Sequence, residues 1–131
     1  LIGADLRKDP AILEAAYNDE AGVTAQFNLN LLRRMNRELG ADFDLNHWRH
    51  RAIYNENCYR IEMHLESTIP QDVHVGGRRY HFQEGQSVRT EVSYKFSPEG
   101  FAALAKSAGF TVEQRWLDAD QLFSVQWLTV N

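Results

Sequence analysis

Cysteine is nearly absent from the sequence, with Cys58 alone among 131 residues. A lone thiol forms no disulfide within the chain and cannot supply a cysteine-rich zinc site. Long apolar runs are also missing: none approaches the roughly 20 residues of a membrane-spanning helix, so no membrane contact is expected. Basic residues are outnumbered, and the net charge of −4 argues against a broad nucleic-acid surface.

The first five residues, Leu-Ile-Gly-Ala-Asp, contain neither an initiator methionine nor a basic stretch. They do not have the pattern of a secretory signal peptide, so we expect a cytoplasmic location. We also expect the chain to be part of a longer protein. Apolar residues make up 44% and charged residues 24% of the sequence, which is typical of a globular domain and not of a disordered segment.

Helix signals dominate the first forty residues, after a short strand at the start. Asp9-Pro10 combines an N-cap residue with a first-turn proline and predicts a helix over 10–17. A longer helix is predicted over about 21–39, with Gly40 as its left-handed C-cap. Its apolar residues recur every four positions, as is typical of a helix: Val23, Phe27, Leu31, Met35 and Leu39.

From about His50 the apolar period changes to two, which indicates half-buried antiparallel strands. Strands are predicted at 51–54, 60–66, 73–75, 79–82 and 87–94. The pair Gly76-Gly77 predicts a hairpin turn. We expect this middle region to form one antiparallel sheet of roughly four strands.

A helix begins again at Ser97-Pro98, where a cap residue precedes a proline, and Gly109 ends it. Strands are predicted at 110–117 and 122–130. The two ends of the chain therefore indicate pieces of one α/β sheet, with the middle region inserted between them.

Five motifs follow one another along the chain: Gly3-Ala4-Asp5-Leu6-x-Lys8-Asp9-Pro10, Ala16-Tyr17-Asn18-Asp19-x-x-Gly22-Val23-Thr24, Phe27-Asn28-Leu29-Asn30, Arg60-Ile61-Glu62-Met63-His64-Leu65 and Thr90-Glu91-Val92-Ser93-Tyr94-Lys95-Phe96. The tail after Ser97 is similar to the end of a Rossmann-like methyltransferase. Together these segments resemble the histidine-specific, S-adenosylmethionine-dependent methyltransferases, which make trimethylhistidine on the route to ergothioneine. The resemblance covers nearly the whole chain and only the C-terminal part of the family.

The resemblance implies an α+β fold: an antiparallel-sheet insertion domain with helices, plus the last strands and helix of a truncated Rossmann-like methyltransferase sheet. The expected division is 1–9 for the end of a strand and its turn, 10–96 for the substrate-binding insertion, and 97–131 for the closing helix and strand pair. It also implies methylation of the α-amine of histidine, with S-adenosylmethionine as the cofactor of the full-length protein. The Gly-rich cofactor loop has no counterpart here, so we expect no cofactor-binding or catalytic residue in this chain, which alone would be inactive.

Glu91 and Ser93 lie two apart on a predicted strand and therefore point to the same face. A carboxylate and a hydroxyl can pair with the two nitrogens of an imidazole ring. The resemblance implies that this Glu-x-Ser motif holds the ring of the substrate. The alternative from the residues alone is a solvated strand face, with Glu91 paired to a neighbouring arginine.

Further substrate-binding positions follow from the resemblance. It implies that Tyr17 binds the substrate carboxylate and that Met63 lies beside the imidazole, although both residue types are also common in protein cores. Thr24, Phe27 and Asn28, at the start of the long helix, are further candidates for lining the pocket. Asn28 is equally suited to joining structural elements by hydrogen bonds.

Other polar residues have structural interpretations. Asp5 is expected to orient the turn after the first strand through backbone N–H groups. The five histidines lack a metal-ligand spacing, so no metal site is expected. Two other functions stay open, namely a non-catalytic module that binds an amino acid or imidazole compound, and a methyltransferase relative acting on another small amine. Self-association of the chain is expected if apolar surface and a sheet edge are exposed.

Overall fold

A computed structural model describes all residues, Leu1–Asn131, and contains three α-helices and eight strands. In chain order the elements are β1 (Ile2–Asp5), α1 (Pro10–Tyr17), α2 (Val23–Leu39), β2 (Trp48–Asn55), β3 (Arg60–Ser67), β4 (Gln71–Val75), β5 (Arg78–Phe82), β6 (Ser87–Tyr94), α3 (Pro98–Ser107), β7 (Phe110–Leu117) and β8 (Phe123–Val130). One turn of 3-10 helix, Leu45–His47, precedes β2. No helix combines the length and apolarity needed to cross a membrane.

One sheet is built from the two ends of the chain, as predicted. Strand β8 lies between β1 and β7 and is antiparallel to both. Helix α3 covers one face of this sheet, where Phe101 and Ala105 pack against Ala4. The Ser97 hydroxyl accepts a hydrogen bond from the Gly100 N–H and so caps α3, which confirms the predicted start of this helix.

The middle region forms two sheets, so the prediction of one sheet of roughly four strands was wrong. Strands β2, β3 and β6 form an antiparallel sheet in which β3 is central. Strands β2 and β6 pair with the two edges of β3. The β4–β5 hairpin, which follows β3 along the chain, therefore cannot pair with β3. The hairpin instead packs through Val73 against Leu65 and Leu32. Its Gly76-Gly77 turn is confirmed, and both glycines have positive φ angles.

The face of helix α2 that packs on the sheet overlaps only partly with its four-residue apolar repeat. Its buried residues are Asn28 and Leu32, whereas Val23, Phe27 and Leu31 are exposed. A spacing of four residues advances about 40° beyond a full helical turn, so such a stripe winds around the helix and leaves the packed face. The exposed residues Phe27 and Leu31 of this repeat lie beside β6, on the face of the β2–β3–β6 sheet that packs against α2.

The ends of α1 and α2 are set by capping residues close to them in the sequence. Asp9 caps α1 by accepting a hydrogen bond from the Ala11 N–H. Helix α2 begins two residues later than predicted because the N–H groups of Val23 and Thr24 bond to the Asp19 carboxylate. Gly40, with φ of 61°, ends α2 as predicted.

The two larger sheets meet at a short parallel contact between the segments after β1 and β6. The Arg7 N–H donates to the Phe96 carbonyl at 3.0 Å, and the Phe96 N–H donates to the Asp5 carbonyl at 3.1 Å. This contact places Asp5 beside Lys95, the residue that follows β6.

Candidate functional site

The candidate site lies on the inner face of the β2–β3–β6 sheet, where α1 ends and α2 begins. On β3, Ile61 and Met63 face inward and are buried. On β6, Ser93 pairs with Ile61 and Glu91 pairs with Met63. Glu91 and Ser93 therefore share the inner face, in agreement with their predicted alternation.

A β-bulge interrupts β6 next to Glu91. Met63 pairs with Glu91 and the next residue, His64, pairs with Arg89, so that Thr90 is left without a partner on β3. The Thr90 hydroxyl donates to the Asn28 side-chain oxygen at 2.7 Å. Bulges turn side chains away from regular alternation and are common beside functional sites. Glu91 and Ser93 lie in regular alternation on one side of the bulge, and the extra residue, Thr90, contacts Asn28.

Tyr17, at the end of α1, contacts Ser93 directly. Its hydroxyl oxygen lies 3.0 Å from Ser93 Oγ, and the Lys95 Nζ lies 3.0 Å from each of these two oxygens. The Lys95 side chain is fully buried, and its ammonium also pairs with Asp5 Oδ2 at 2.7 Å. Asp5 Oδ1 lies 2.6 Å from the Lys8 Nζ. The expectation that Asp5 orients the turn through backbone N–H groups was wrong, because its carboxylate contacts two lysines.

The charges of this cluster stabilise one another. Burial acts to lower the pKa of Lys95, but hydrogen bonds from its ammonium to Asp5 and Tyr17 outweigh burial and raise that pKa above its usual value. Burial acts to raise the pKa of Asp5, but Lys8 and Lys95 outweigh burial and hold that pKa below its usual value. Lys95 is therefore a cation and Asp5 an anion at neutral pH.

Asn28 belongs to a buried network of hydrogen bonds that reaches the backbone carbonyl of Tyr17 through His50. Its side-chain nitrogen donates to the His64 carbonyl at 3.1 Å and to His50 Nδ1 at 2.9 Å. His50 Nε2 lies 2.8 Å from the Tyr17 carbonyl oxygen. Because a carbonyl only accepts, Nε2 carries the hydrogen and Nδ1 carries the lone pair that receives Asn28. The network thus joins α2, β2 and β3 to the end of α1.

Glu91 is exposed, and its carboxylate forms neither an ion pair nor a hydrogen bond within the chain. It borders a cavity of about 220 Å³ beside the start of α2. The cavity is lined by Phe27, Asn28, Asn30, Leu31, Arg34, Thr90 and Glu91. An unpaired carboxylate is thus at the edge of an open space.

The remaining candidates, Met63, Phe27 and Thr24, lie at different distances from the Tyr17–Ser93 contact and from the cavity beside Glu91. Met63 packs with Leu13 and Ile61 in a core cluster that Tyr17 also contacts. Phe27 is 67% exposed and lines the cavity beside Glu91. Thr24 is half-buried in the first turn of α2, where its N–H bonds to Asp19, and it does not line the cavity.

The sequence analysis assigned no role to Lys95, His50 or Thr90, which the structure connects to the candidate residues. A signal for Lys95 was present, because Glu91, Ser93 and Lys95 alternate along one strand and its continuation. The bulge at Thr90 and the contact of His50 with Tyr17 depend on residues distant in sequence. No group of three or more metal-ligating side chains is brought together, and Cys58 is exposed and unpaired.

The connection from β1 to α1 differs from a Gly-rich nucleotide-binding loop. Between β1 and α1 there is no glycine, so the strand–turn–helix arrangement of a Gly-rich nucleotide loop is missing. The Gly3 backbone is closely approached by the Phe123 ring, since a Cβ built on Gly3 would lie 2.7 Å from it. Gly3, the glycine nearest in sequence to the connection between β1 and α1, therefore packs against Phe123.

Comparisons with known proteins identify relatives of the whole chain. A family described as histidine-specific, SAM-dependent methyltransferases matches residues 1–130. The histidine N-alpha-methyltransferases of Mycolicibacterium smegmatis and Mycobacterium tuberculosis are each 45% identical over 120 residues, which are 90% of this chain and 37% of the relative. Ergothioneine biosynthesis protein 1 of Neurospora crassa is 33% identical over 119 residues, or 88% of this chain and 13% of that protein.

The chain thus spans only about a third of the bacterial proteins that it matches. The match to the family nevertheless covers all but one residue of the chain. The chain belongs to the family of histidine-specific, S-adenosylmethionine-dependent methyltransferases.

Proposed function

We propose that the chain is the C-terminal, acceptor-binding part of an S-adenosylmethionine-dependent methyltransferase that methylates the α-amine of histidine. One observation carries the proposal: the Tyr17–Ser93 contact and the unpaired Glu91 carboxylate share one face of the sheet, and Glu91 borders an open cavity. The bacterial relatives are named for the same reaction, which supports histidine as the acceptor.

The two ends of a histidine molecule match different parts of this face. In the proposal, Glu91 and Ser93 hold the imidazole ring, and Met63 packs beside it. A buried site that is built to pair with ring nitrogens discriminates strongly against a ring without them, because the polar groups of the protein are then left unpaired. The α-carboxylate lies at Tyr17, where the positive charge of Lys95 and Lys8 behind the ring attracts it, since the Tyr17 hydroxyl hydrogen is directed to Ser93. Phe27 and Asn28 form the wall of the pocket at the start of α2, near Thr24 in the first turn of that helix.

The charge of the cluster behind Tyr17 supports binding of a carboxylate there. Lys8 and Lys95 carry two positive charges, and Asp5 carries one negative charge, so the three side chains have a formal net charge of +1. In a partly buried site, a net positive charge favours an anionic ligand group. With both ends of the substrate held, the role of these residues in the reaction is to orient the α-amine, and orientation alone can contribute several kcal/mol to catalysis.

We further propose that the β1–β8–β7 sheet is one edge of a larger Rossmann-like sheet, with 1–9 and 97–131 belonging to that sheet and 10–96 forming the insertion. The face opposite α3 supports this, because the rings of Trp116, Phe123 and Trp127 lie exposed on it. These rings and the free edge of β1 would also promote self-association of the isolated chain. A clean monomer in size-exclusion chromatography at high concentration would contradict that expectation. A cytoplasmic location completes the proposal, since the exposed Cys58 thiol is suited to a reducing compartment.

Calorimetry with the complete protein tests the assignment of the acceptor. Histidine and dimethylhistidine are titrated beside tryptophan, into unsubstituted protein and into Glu91→Ala. We expect binding of the two imidazole compounds, and loss of that binding in Glu91→Ala. Equal histidine affinity in the two proteins would remove Glu91 from the pocket. Preference for another amine would favour a methyltransferase relative with a different substrate, and histidine binding without any methyl transfer would favour a non-catalytic binding module.

A further inference from the structure

The buried ammonium of Lys95 determines which hydrogens the site can offer to a ligand. Its three N–H groups point to three oxygens, namely Asp5 Oδ2 at 2.7 Å and the hydroxyl oxygens of Tyr17 and Ser93 at 3.0 Å each. An ammonium only donates, so all three of its donors are used, and both hydroxyl oxygens act as acceptors toward it.

The remaining hydroxyl hydrogens can then be counted. Tyr17 and Ser93 have one hydroxyl hydrogen each, and their oxygens lie 3.0 Å apart. One of these hydrogens forms the hydrogen bond between the two oxygens. The other cannot point back to Lys95 and is directed away from the cluster. With Tyr17 donating to Ser93, the free donor is the Ser93 hydroxyl, on the same face as the Glu91 carboxylate.

We propose that Lys95 is a positioning residue that fixes the direction of the hydrogen bonds at the acceptor site, so that the site offers one donor and one acceptor and selects a neutral imidazole over an imidazolium. The inference rests on the proposed function for the identity of the ring. A neutral imidazole has one N–H, for Glu91, and one lone-pair nitrogen, for Ser93. An imidazolium has two N–H groups, and its second N–H would face the Ser93 hydroxyl hydrogen.

Charged and titratable groups approach Lys95 from several elements. They are Asp5, Arg7 and Lys8 at the end of β1 and after it, Tyr17 on α1, Tyr54 on β2, and Tyr59 in the turn after β2. Glu91 lies on the same face of β6, four residues before Lys95. Asp5 is the one carboxylate in contact with the ammonium. Replacement of Lys95 by methionine removes the donors and the charge while keeping a similar length, and it frees the Ser93 oxygen to accept a hydrogen bond from the ligand.

The test is the pH dependence of histidine binding to the complete protein, measured by calorimetry at pH 7.5 and 5.0. The imidazole pKa of free histidine is about 6, below the roughly 6.5 of a peptide side chain because of the neighbouring ammonium, so its neutral fraction falls roughly tenfold over this interval. We expect the affinity of unsubstituted protein to fall about tenfold. In Lys95→Met, affinity at pH 7.5 should be at least about tenfold weaker, and the fall to pH 5.0 should shrink below about threefold. The exposed Lys106 on α3 provides a matched control, Lys106→Met, with the pH dependence of unsubstituted protein.

The outcomes separate this inference from the proposed function. A Lys95→Met protein that is folded and keeps the tenfold pH dependence would overturn the role of Lys95 and leave histidine binding intact. Absence of histidine binding to unsubstituted protein at both pH values would overturn the proposed function, and the inference with it. A general loss of structure would weaken binding equally at both pH values and so would not reproduce the flattened profile.

A second measurement needs no variant and holds if Lys95→Met fails to fold. The ring nitrogens of ¹⁵N-labelled histidine, bound to unsubstituted protein at pH 6, report their protonation by NMR. We expect one protonated and one lone-pair nitrogen in the bound ring. Two protonated nitrogens would show that the site accepts imidazolium and would refute the proposed direction of the Ser93 hydrogen bond.

Discussion

Substitution of Asn28 by leucine tests the network that joins the helices to the sheet. The two side chains have the same branched shape and the same number of heavy atoms, so the change removes hydrogen bonds while the shape of the side chain is kept. Asn28 is 3% exposed, and its amide bonds to His50, to the His64 carbonyl and to Thr90. After the substitution, His50 Nδ1 and the His64 carbonyl lose the hydrogens that Asn28 donates. Thr90 keeps a partner, since its hydroxyl also reaches the Met63 carbonyl at 3.1 Å.

The magnitude follows from the two groups left without a partner. A buried polar group without a hydrogen bond costs roughly 1–3 kcal/mol, and the half-burial of His50 and His64 places the total at about 2–4 kcal/mol. Leucine itself is compatible with the site, because Asn28 lies on the packed face of α2 beside Leu32. We therefore expect Asn28→Leu to lower the free energy of unfolding by about 2–4 kcal/mol.

The assay is urea unfolding followed by tryptophan fluorescence, to which the buried Trp48 contributes. With an m-value of about 2 kcal/mol per M, the midpoint should fall by about 1–2 M. The control is Asn30→Leu, because Asn30 is exposed on the same helix and makes no hydrogen bond through its side chain; it should stay within about 0.5 kcal/mol of unsubstituted protein. Equal stability of the two variants would refute the network.

Three further predictions concern charge, pH and packing. Asp5→Ala leaves the buried Lys95 ammonium without its carboxylate and should destabilise the fold by roughly 3 kcal/mol, while addition of Lys95→Met should recover part of that loss; additive effects in this double-mutant cycle would contradict the pairing. Hydrogen bonds from the Thr24 side chain and from the N–H groups of α2 lower the pKa of Asp19 to about 2. Because this pKa is lowered on folding, Asp19 stabilises the fold above the ordinary value near 3.8 and loses that effect as the pH falls to about 2, so the difference in melting temperature between unsubstituted protein and Asp19→Ala should shrink over this interval and not stay constant. Leu65→Ala, at a side chain that is 1% exposed, should cost about 2–5 kcal/mol, whereas Leu104→Ala, at one that is 53% exposed, should cost under about 1 kcal/mol in the same urea experiment.

The parts of the fold that were predicted correctly depend on neighbours in sequence. Asp9 and Ser97 cap their helices, Gly40 ends α2, and Gly76-Gly77 turns the hairpin, because each of these signals acts within a few residues. Alternation along β3 and β6 likewise predicted which side chains share a face, and the structure places Glu91 and Ser93 together on the inner one.

The incorrect parts depend on contacts between distant segments. The separation of the β4–β5 hairpin from the larger sheet follows from β6 occupying the second edge of β3, which no local pattern reveals. The packed face of α2 includes Asn28 with its partners on β2 and β3, which the apolar repeat through Phe27 does not show. A buried polar residue can determine the orientation of a helix in a way that apolar periodicity does not record.

The candidate site shows the same division. Tyr17, Glu91 and Ser93 were named from their resemblance to a family and from alternation, but their environment was not foreseen. The charged contact between Asp5 and Lys95 joins residues 90 positions apart at the meeting point of two sheets. Burial of Lys95 could be recognised only once the segment after β1 was seen to run beside the segment after β6.

The most direct test of the account is methyl transfer to histidine by the complete protein supplied with S-adenosylmethionine. We predict that histidine methylated on its α-amine accumulates, and that Glu91→Gln lowers kcat/KM for histidine about 10- to 100-fold, as expected for loss of a hydrogen bond to a charged group. Glu84→Gln, at an exposed carboxylate before β6, serves as the matched control and should act like unsubstituted protein. No methylated histidine from the folded complete protein, or identical kinetics for the two variants, would contradict the assignment of this face as the acceptor site.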